Sequence, residues 1–341
     1  MRVSMWVNDR LVRGTMNKYE GIHGCIVKHY VCTAHKGKIL VHDTRRGTVR
    51  EFCVVDVDCM CARGDCLFYF VWPNTAQMRD VETGAIVKEW EYSDYYGQET
   101  MPDIEQCISS PGRHVAGISS HKSVYVCHVD SSETTTLHHD QIVTDASFHP
   151  TQDELVVSHH DGLRIWCTNT WTATHSVSTD IHFISLAHSP CGKYLAIGSP
   201  EHVRVWSTTD YTEEKVFSTD STTVGLTFSP CSTFLLTGDA DLECCEWNWR
   251  EARLLIKTCI PIQNIERYRL LGSYINSCAY VGDIGAIVTS LENSFTIPLT
   301  FNGHRTNANY AYILELLDKQ QWWPSVISKV ILSYLTITFK L

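Results

Sequence analysis

Hydrophobic and polar residues alternate along most of the chain in short runs, the period of two expected when one face of a strand is buried and the other is not. Pro, Gly, Asp and Ser interrupt the runs. The fullest stretch is Ile184-Ser185-Leu186-Ala187-His188-Ser189-Pro190-Cys191-Gly192-Lys193-Tyr194-Leu195-Ala196-Ile197-Gly198-Ser199, followed by Val203-Arg204-Val205-Trp206. Three runs rich in β-branched and aromatic residues, with a fourth around Lys215-Val216-Phe217, predict a four-stranded antiparallel unit.

The unit recurs. Ser109-Ser110-Pro111, Phe148-His149-Pro150, His188-Ser189-Pro190 and Phe228-Ser229-Pro230 place their prolines 39, 40 and 40 residues apart. Leu163-Arg164-Ile165-Trp166 keeps this spacing to Val203-Arg204-Val205-Trp206, and Trp247 falls one residue late in the next copy. Such a period means stacked units, none of which buries its apolar face alone. Second strands are predicted to begin near Tyr30, Cys66, Val115, Leu155, Tyr194, Phe234 and Ala286, which makes seven units. The last shows three strands, near Ile275, Ala286 and Ser294. Val3 to Val7, from the other end of the chain, is expected to complete it and leave no sheet edge open.

The Ser-Pro turn, the strand Leu195 to Ser199 and the strand Val203 to Trp206 resemble the recurrent pieces of the WD40-repeat family. The Trp-Asp dipeptide of that family is replaced by His42-Asp43, Arg79-Asp80, Trp166-Cys167, Trp206-Ser207 and Trp247-Asn248. The resemblance implies an all-β fold, a seven-bladed WD40-type β-propeller over residues 1–303, with residues 3–7 closing the last blade. It implies structural roles for Trp166, Trp206 and Trp247 and a turn-fixing acid before the third strand, at Asp161, Asp241 and, conservatively, Glu201. It also implies partner contacts on the face bearing the loops between second and third strands and those between blades. There His159, His160, Glu201, His202, Asp239 and Asp241 are the expected contact residues.

After Gly303 the period lengthens towards 3.6. Tyr310, Ile313, Leu314 and Leu317 form one apolar stripe, and Val326, Ile327, Val330, Ile331, Tyr334 and Leu335 a second. Two helices in a 304–341 extension are predicted, with Pro324 in the first turn of the second. Pro324 to Leu335 resembles the opening helix of an F-box, without its acidic residue or the rest of that motif. This implies a helix that recruits a Skp1-type adaptor of a cullin ubiquitin ligase; the alternative is a helix pair packed on the β domain. On either reading Trp322 and Trp323 are buried, and Ile331, Tyr334 and Leu335 belong to the contact stripe.

Composition narrows the function classes. With 28 basic and 38 acidic residues the chain carries a net charge of -10, which argues against a broad nucleic-acid or anionic-membrane footprint. The longest apolar run, Val326 to Phe339, is short and contains Lys329, so no membrane span is expected. Fifteen cysteines, an N-terminus without a secretory pattern and no Asn-x-Ser/Thr acceptor suit reduced thiols in a cytoplasmic or nuclear protein.

Candidate chemistry is sparse. Cys59, Cys61 and Cys66, with Cys53 nearby, lack the spaced knuckles of a zinc site and read as strand thiols. His138-His139-Asp140 and His159-His160-Asp161 fall in loops where adjacent side chains diverge, which argues against metal ligation, and His159 and His160 are better read as partner contacts. Arg63-Gly64-Asp65 is read as a turn. Thr44-Arg45-Arg46-Gly47 resembles the basic element of phosphoinositide-binding propellers but falls in a different strand interval. There is no P-loop, G-x-G-x-x-G, G-x-S-x-G or H-E-x-x-H. The sequence thus predicts a non-enzymatic scaffold or adaptor for proteins or peptides, with no cofactor. Its acidic, histidine-bearing rim should favour basic peptides.

Overall fold

The computed structural model describes residues 2–7, 10–15, 24–27, 30–35, 37–43, 46, 48–54, 57–71, 74–92, 104–119, 122–241, 243–259, 275–281, 285–290 and 293–297. Every regular element among them is a strand. β1 (Arg2–Val7) and β2 (Arg10–Thr15) form an antiparallel hairpin.

Six four-stranded antiparallel sheets follow in chain order. The first holds β3 (Gly24–Val27), β4 (Tyr30–His35), β5 (Lys38–Asp43) and β6 (Val49–Cys53). The second holds β7 (Val57–Arg63), β8 (Cys66–Val71), β9 (Thr75–Asp80) and β10 (Ile86–Glu91). The third holds β11 (Ile104–Ser109), β12 (His114–Ser119), β13 (Ser123–His128) and β14 (Thr134–His138). The fourth holds β15 (Val143–Phe148), β16 (Glu154–His159), β17 (Gly162–Cys167) and β18 (Thr172–Ser178). The fifth holds β19 (Ser185–His188), β20 (Tyr194–Ser199), β21 (His202–Ser207) and β22 (Glu213–Ser218). The sixth holds β23 (Thr223–Phe228), β24 (Phe234–Asp239), β25 (Glu243–Asn248) and β26 (Arg253–Cys259). A three-stranded sheet of β27 (Ile275–Val281), β28 (Gly285–Ser290) and β29 (Asn293–Ile297) ends the described chain.

Strands lie in sequence order within each sheet, and each expected second strand starts within one residue of its predicted position. Consecutive sheets meet through their first strands, from β3 beside β7 through to β23 beside β27. β1 runs alongside β29, while its backbone ladder is with β2, a hairpin partner that the sequence reading did not anticipate.

The repeat has a structural basis. Trp166, Trp206 and Trp247 each face a leucine across the sheet, namely Leu155, Leu195 and Leu235, and each sits at a bulge towards the fourth strand. Two residues separate His159 from Gly162 and Ser199 from His202, whereas three separate Asp239 from Glu243. That longer turn explains why Trp247 arrives one residue late. At the other end of the strands, Ser110, Ser189 and Ser229 each accept a backbone N–H in their turn, from His114, Tyr194 and Phe234 respectively, at 2.9 to 3.0 Å. In the fourth sheet His149 does this work. Its Nδ1 accepts the N–H groups of Thr151 and Gln152, so its Nε2–H donates to the Gly192 carbonyl of the next sheet at 2.7 Å.

Apolar side chains fill the space between neighbouring sheets. Val156, Leu163 and Ile165 of the fourth sheet pack with Leu186, Leu195, Ile197 and Trp206 of the fifth, and Ala196, Val203 and Val205 with Leu226, Phe228, Leu235 and Trp247 of the sixth. Each fully buried aliphatic side chain here stabilises by about 1.5–3 kcal/mol. Both faces of the inner strands of the central sheets are therefore occupied, and the fourth strands, the strand ends and the turns carry the free surface. Polar ties reinforce the stacking. The buried Asp145 carboxylate accepts the N–H of Ala146 and, across the gap, that of Leu186, both at 2.7 Å.

Arg63-Gly64-Asp65 does form a turn, with Gly64 at φ +54. Arg63 is committed to the neighbouring sheet, where its guanidinium donates to the carbonyls of Ser110, Gly112 and His114. In the basic element, Arg46 donates its backbone N–H to Asp43 at 2.9 Å in a turn, while Thr44, Arg45 and Gly47 lie outside the described residues. So do the predicted helices of 304–341, with Trp322, Trp323, Ile331, Tyr334 and Leu335.

Candidate functional site

The two His-His-Asp motifs, read separately in the sequence, meet in space. Val143 at the start of β15 is paired with His159 at the end of β16, which brings the loop ahead of β15 over the β16–β17 turn. His159 Nε2 lies 2.6 Å from His139 Nδ1, with ring centroids 4.7 Å apart. Both residues are buried, and His139 packs edge-on against Trp166 at 5.5 Å. One sheet later it is Phe183, in the register of Val143, that packs edge-on against the corresponding Trp206, at 5.6 Å. The His139 ring thus belongs to the packing around Trp166. Burial, then the neighbouring His159 and the Arg164 charge, press its pKa down to about 3, and burial with Arg164 lowers that of His159. Both are neutral at physiological pH, sharing one proton between facing nitrogens.

His160 is exposed beside them, and its ring stacks on His182 of the loop before β19 with centroids 4.0 Å apart and planes 20° from parallel. Asp161 and Glu201 are exposed too. Their turns are fixed through main chain: the Asp161 carbonyl accepts the Thr179 N–H and the Glu201 carbonyl that of Thr219, each at 2.9 Å. Lys122 holds the equivalent place in the third sheet, its carbonyl accepting the His139 N–H at 2.9 Å. Lys122 and Glu201 adopt left-handed backbone, φ +73 and +59. His202 is half-buried at the start of β21.

In the sixth sheet the acid that fixes the turn is Asp239. Its Oδ1 accepts the backbone N–H groups of Asp241 and Glu243 at 2.9 and 2.8 Å. Burial raises Asp239 to about 6 against the pull of these two donors. Asp239 and His159, expected as partner contacts, are both buried and occupied by neighbours, so they shape the rim from beneath. Nearby, Lys257 Nζ lies 2.6 Å from Asp220 and 2.7 Å from Glu243. Arg164 reaches Asp140 at 3.4 Å.

What remains on this face is an acidic rim. Asp140, Asp161, Asp180, Glu201, Asp220, Asp241 and Glu243 outnumber Lys122, Arg164 and Lys257, and the cations are turned towards carboxylates or, for Lys122, the Asp140 carbonyl. The stacked His160–His182 pair offers a flat aromatic platform among these acids. Such a surface suits cationic and aromatic side chains of a partner.

At the opposite strand ends lies a cleft of about 550 Å³ between the first turns of the third and fourth sheets, lined by residues such as Arg113, His114, His149, Gln152 and Asp153. Burial, then His128 and Arg63, hold His114 down at about 4, and burial with His149 holds His188 at about 3. Both rings are structural: His114 packs edge-on against His128 and Trp171, and His188 Nδ1 lies 2.9 Å from the Ser147 hydroxyl.

Among the described residues no group of three or more His, Cys, Asp or Glu side chains is arranged to hold a metal ion, and no helix is long and apolar enough to cross a membrane. The sequence reading named His139 only within its motif, without its partner, and missed His182 and Asp145. His182 pairs with His160 from a loop between sheets, a contact that leaves no periodic signature. Asp145 sits in an apolar strand with no spacing signal. No model of a known protein family matches the chain, and a search of curated proteins finds no similar sequence.

Proposed function

We propose that the chain is a seven-bladed propeller of the WD40 type, closed by β1 against the last sheet, that serves as a non-enzymatic platform for other proteins. The observation that carries this reading is the division of surface. The faces of the inner strands are consumed by packing between sheets, and the turns at the strand ends, secured by their own backbone hydrogen bonds, leave exposed side chains to vary. Two facts support closure: first strands are neighbours from sheet to sheet, and β1 lies beside β29.

On this reading the partner presents a basic, extended segment to His160, Asp161, Glu201 and His182. A fluorescence-anisotropy titration against basic and acidic peptides of matched length tests it. Basic peptides should bind, more weakly in high salt, and binding should fall for Glu201→Lys. Equal binding of both peptide sets, or indifference to Glu201→Lys, would overturn it.

The resemblance of Pro324 to Leu335 to an F-box helix favours a second reading, in which the platform holds a substrate and this segment recruits a Skp1-type adaptor. Purified adaptor should then bind the full chain and not a chain ending at Gly303. Equal binding to both disposes of this role.

A further inference from the structure

Three thiols from two adjacent sheets converge where β7 and β11 run side by side. Cys107 Sγ lies 2.9 Å from Cys61 Sγ, and the Cys107 thiol also engages that of Cys59, two residues along β7. Alternation along a strand puts Cys59 and Cys61 on one face, and that face is turned to Cys107. The two strands are clamped at this point. Ser109 Oγ donates to the Ala62 carbonyl at 2.9 Å, and Arg63 holds the turn after β11 through three carbonyls. Opposite Cys107 on β12 stands Gly117, where a Cβ would run into the Phe70 ring. The thiols are therefore held together by ties that do not depend on them.

We infer that Cys61 and Cys107 form an oxidisable dithiol, a modification site at which a hydroperoxide closes a disulfide between the second and third sheets. Cys61 and Cys107 each keep some exposed surface while Cys59 is buried, so of the two thiols facing Cys107 the one an oxidant meets first is Cys61. A hydroperoxide takes two electrons from one sulfur: its O–O bond breaks, an S–O bond forms, and water or an alcohol leaves. The second sulfur then attacks the sulfenyl sulfur, the S–S bond forms as the S–O bond breaks, and a second water departs with the thiol proton. Burial keeps the Cys107 thiol well above its usual pKa, so closure should quicken as pH rises. A small thiol reverses the link by exchange. The crosslink would join strands 46 residues apart in sequence and restrict the unfolded chain.

The test treats the full chain with hydrogen peroxide, blocks remaining thiols by alkylation, and maps crosslinked peptides by mass spectrometry without reduction. Wild type should yield a link between the peptides bearing Cys61 and Cys107, and its thermal midpoint should rise by several degrees and return with reductant. Cys59→Ser should keep the link and Cys61→Ser abolish it. The inference fails if exposed Cys53, Cys191 and Cys231 are oxidised while Cys107 stays free. It fails equally if the link survives Cys61→Ser through Cys59. Because a variant can be damaged in folding, alkylation of Cys107 in wild type before and after peroxide gives an independent readout: protection supports the pair, and unchanged labelling overturns it.

Discussion

His139 and His159, twenty residues apart, face each other nitrogen to nitrogen at 2.6 Å beneath an exposed rim. The fold tolerates the pair only while both rings are uncharged. In the unfolded chain a histidine protonates near pH 6.5, whereas folded His139 resists protonation down to about 3. Its contribution is therefore present above about pH 6.5 and is lost as pH falls towards the folded value. His139→Phe, which keeps an aromatic ring against Trp166, should cost about 1–3 kcal/mol at pH 7 by leaving His159 Nε2 without its partner. It should gain on wild type as pH falls from 7 to 5. Urea unfolding at the two pH values checks this, and a difference that does not change with pH refutes it.

Asp145 behaves with the opposite sign. Burial raises its folded pKa from 3.8 to about 7, so the stability linked to its proton is present below about pH 4 and lost as pH rises through 7. Asp145→Asn lacks this linkage, and its deficit against wild type should shrink between pH 5 and pH 8. Asp145→Ala leaves the Leu186 N–H buried without an acceptor and should cost about 1–3 kcal/mol more than Asp145→Asn at either pH, while its own deficit against wild type shrinks in the same way. A deficit that grows with pH for the Asn variant would contradict the assignment.

Glu201 holds a left-handed backbone that favours glycine, and its side chain is exposed. Glu201→Gly should raise stability slightly, by about 0.5–1 kcal/mol, through relief of this conformation. The reverse case is Gly162, at φ +148, where a Cβ would meet the Val177 carbonyl oxygen. Gly162→Ala should lower the thermal midpoint; a midpoint at or above wild type would show that β18 shifts to make room.

Trp206 is 5% exposed and packed between the fourth and fifth sheets. Trp206→Ala should cost about 3–5 kcal/mol. Trp166, half-buried, should cost less. Equal losses would mean that packing depth does not govern these positions.

Deleting residues 1–8 removes β1, the partner of β2 and the neighbour of β29. The truncated chain should melt at a lower temperature, and an unchanged midpoint in calorimetry would argue against closure through this strand.

Strand order and the Trp register were legible because alternation and prolines are local signals. Leu195 and Trp206 announce themselves in sequence and then face each other in the sheet. The rim was legible only in part. His160 and Glu201 were located correctly on exposed turns, but the burial of His159 and Asp239 was not. It follows from contacts across loops, His139 in one case and the backbone of Asp241 and Glu243 in the other, and periodicity carries no information about such pairs. The same limit hid Cys107 from Cys61: each is an ordinary strand residue until the neighbouring sheet is in place.

The three-residue turn after Asp239 delays Trp247 by one position and still delivers it opposite Leu235. Chain length at this turn is thus decoupled from registration of the hydrophobic ladder. Tolerance of the extra residue rests on Asp239, whose carboxylate gathers the N–H groups of Asp241 and Glu243 and so returns the lengthened connection to β25.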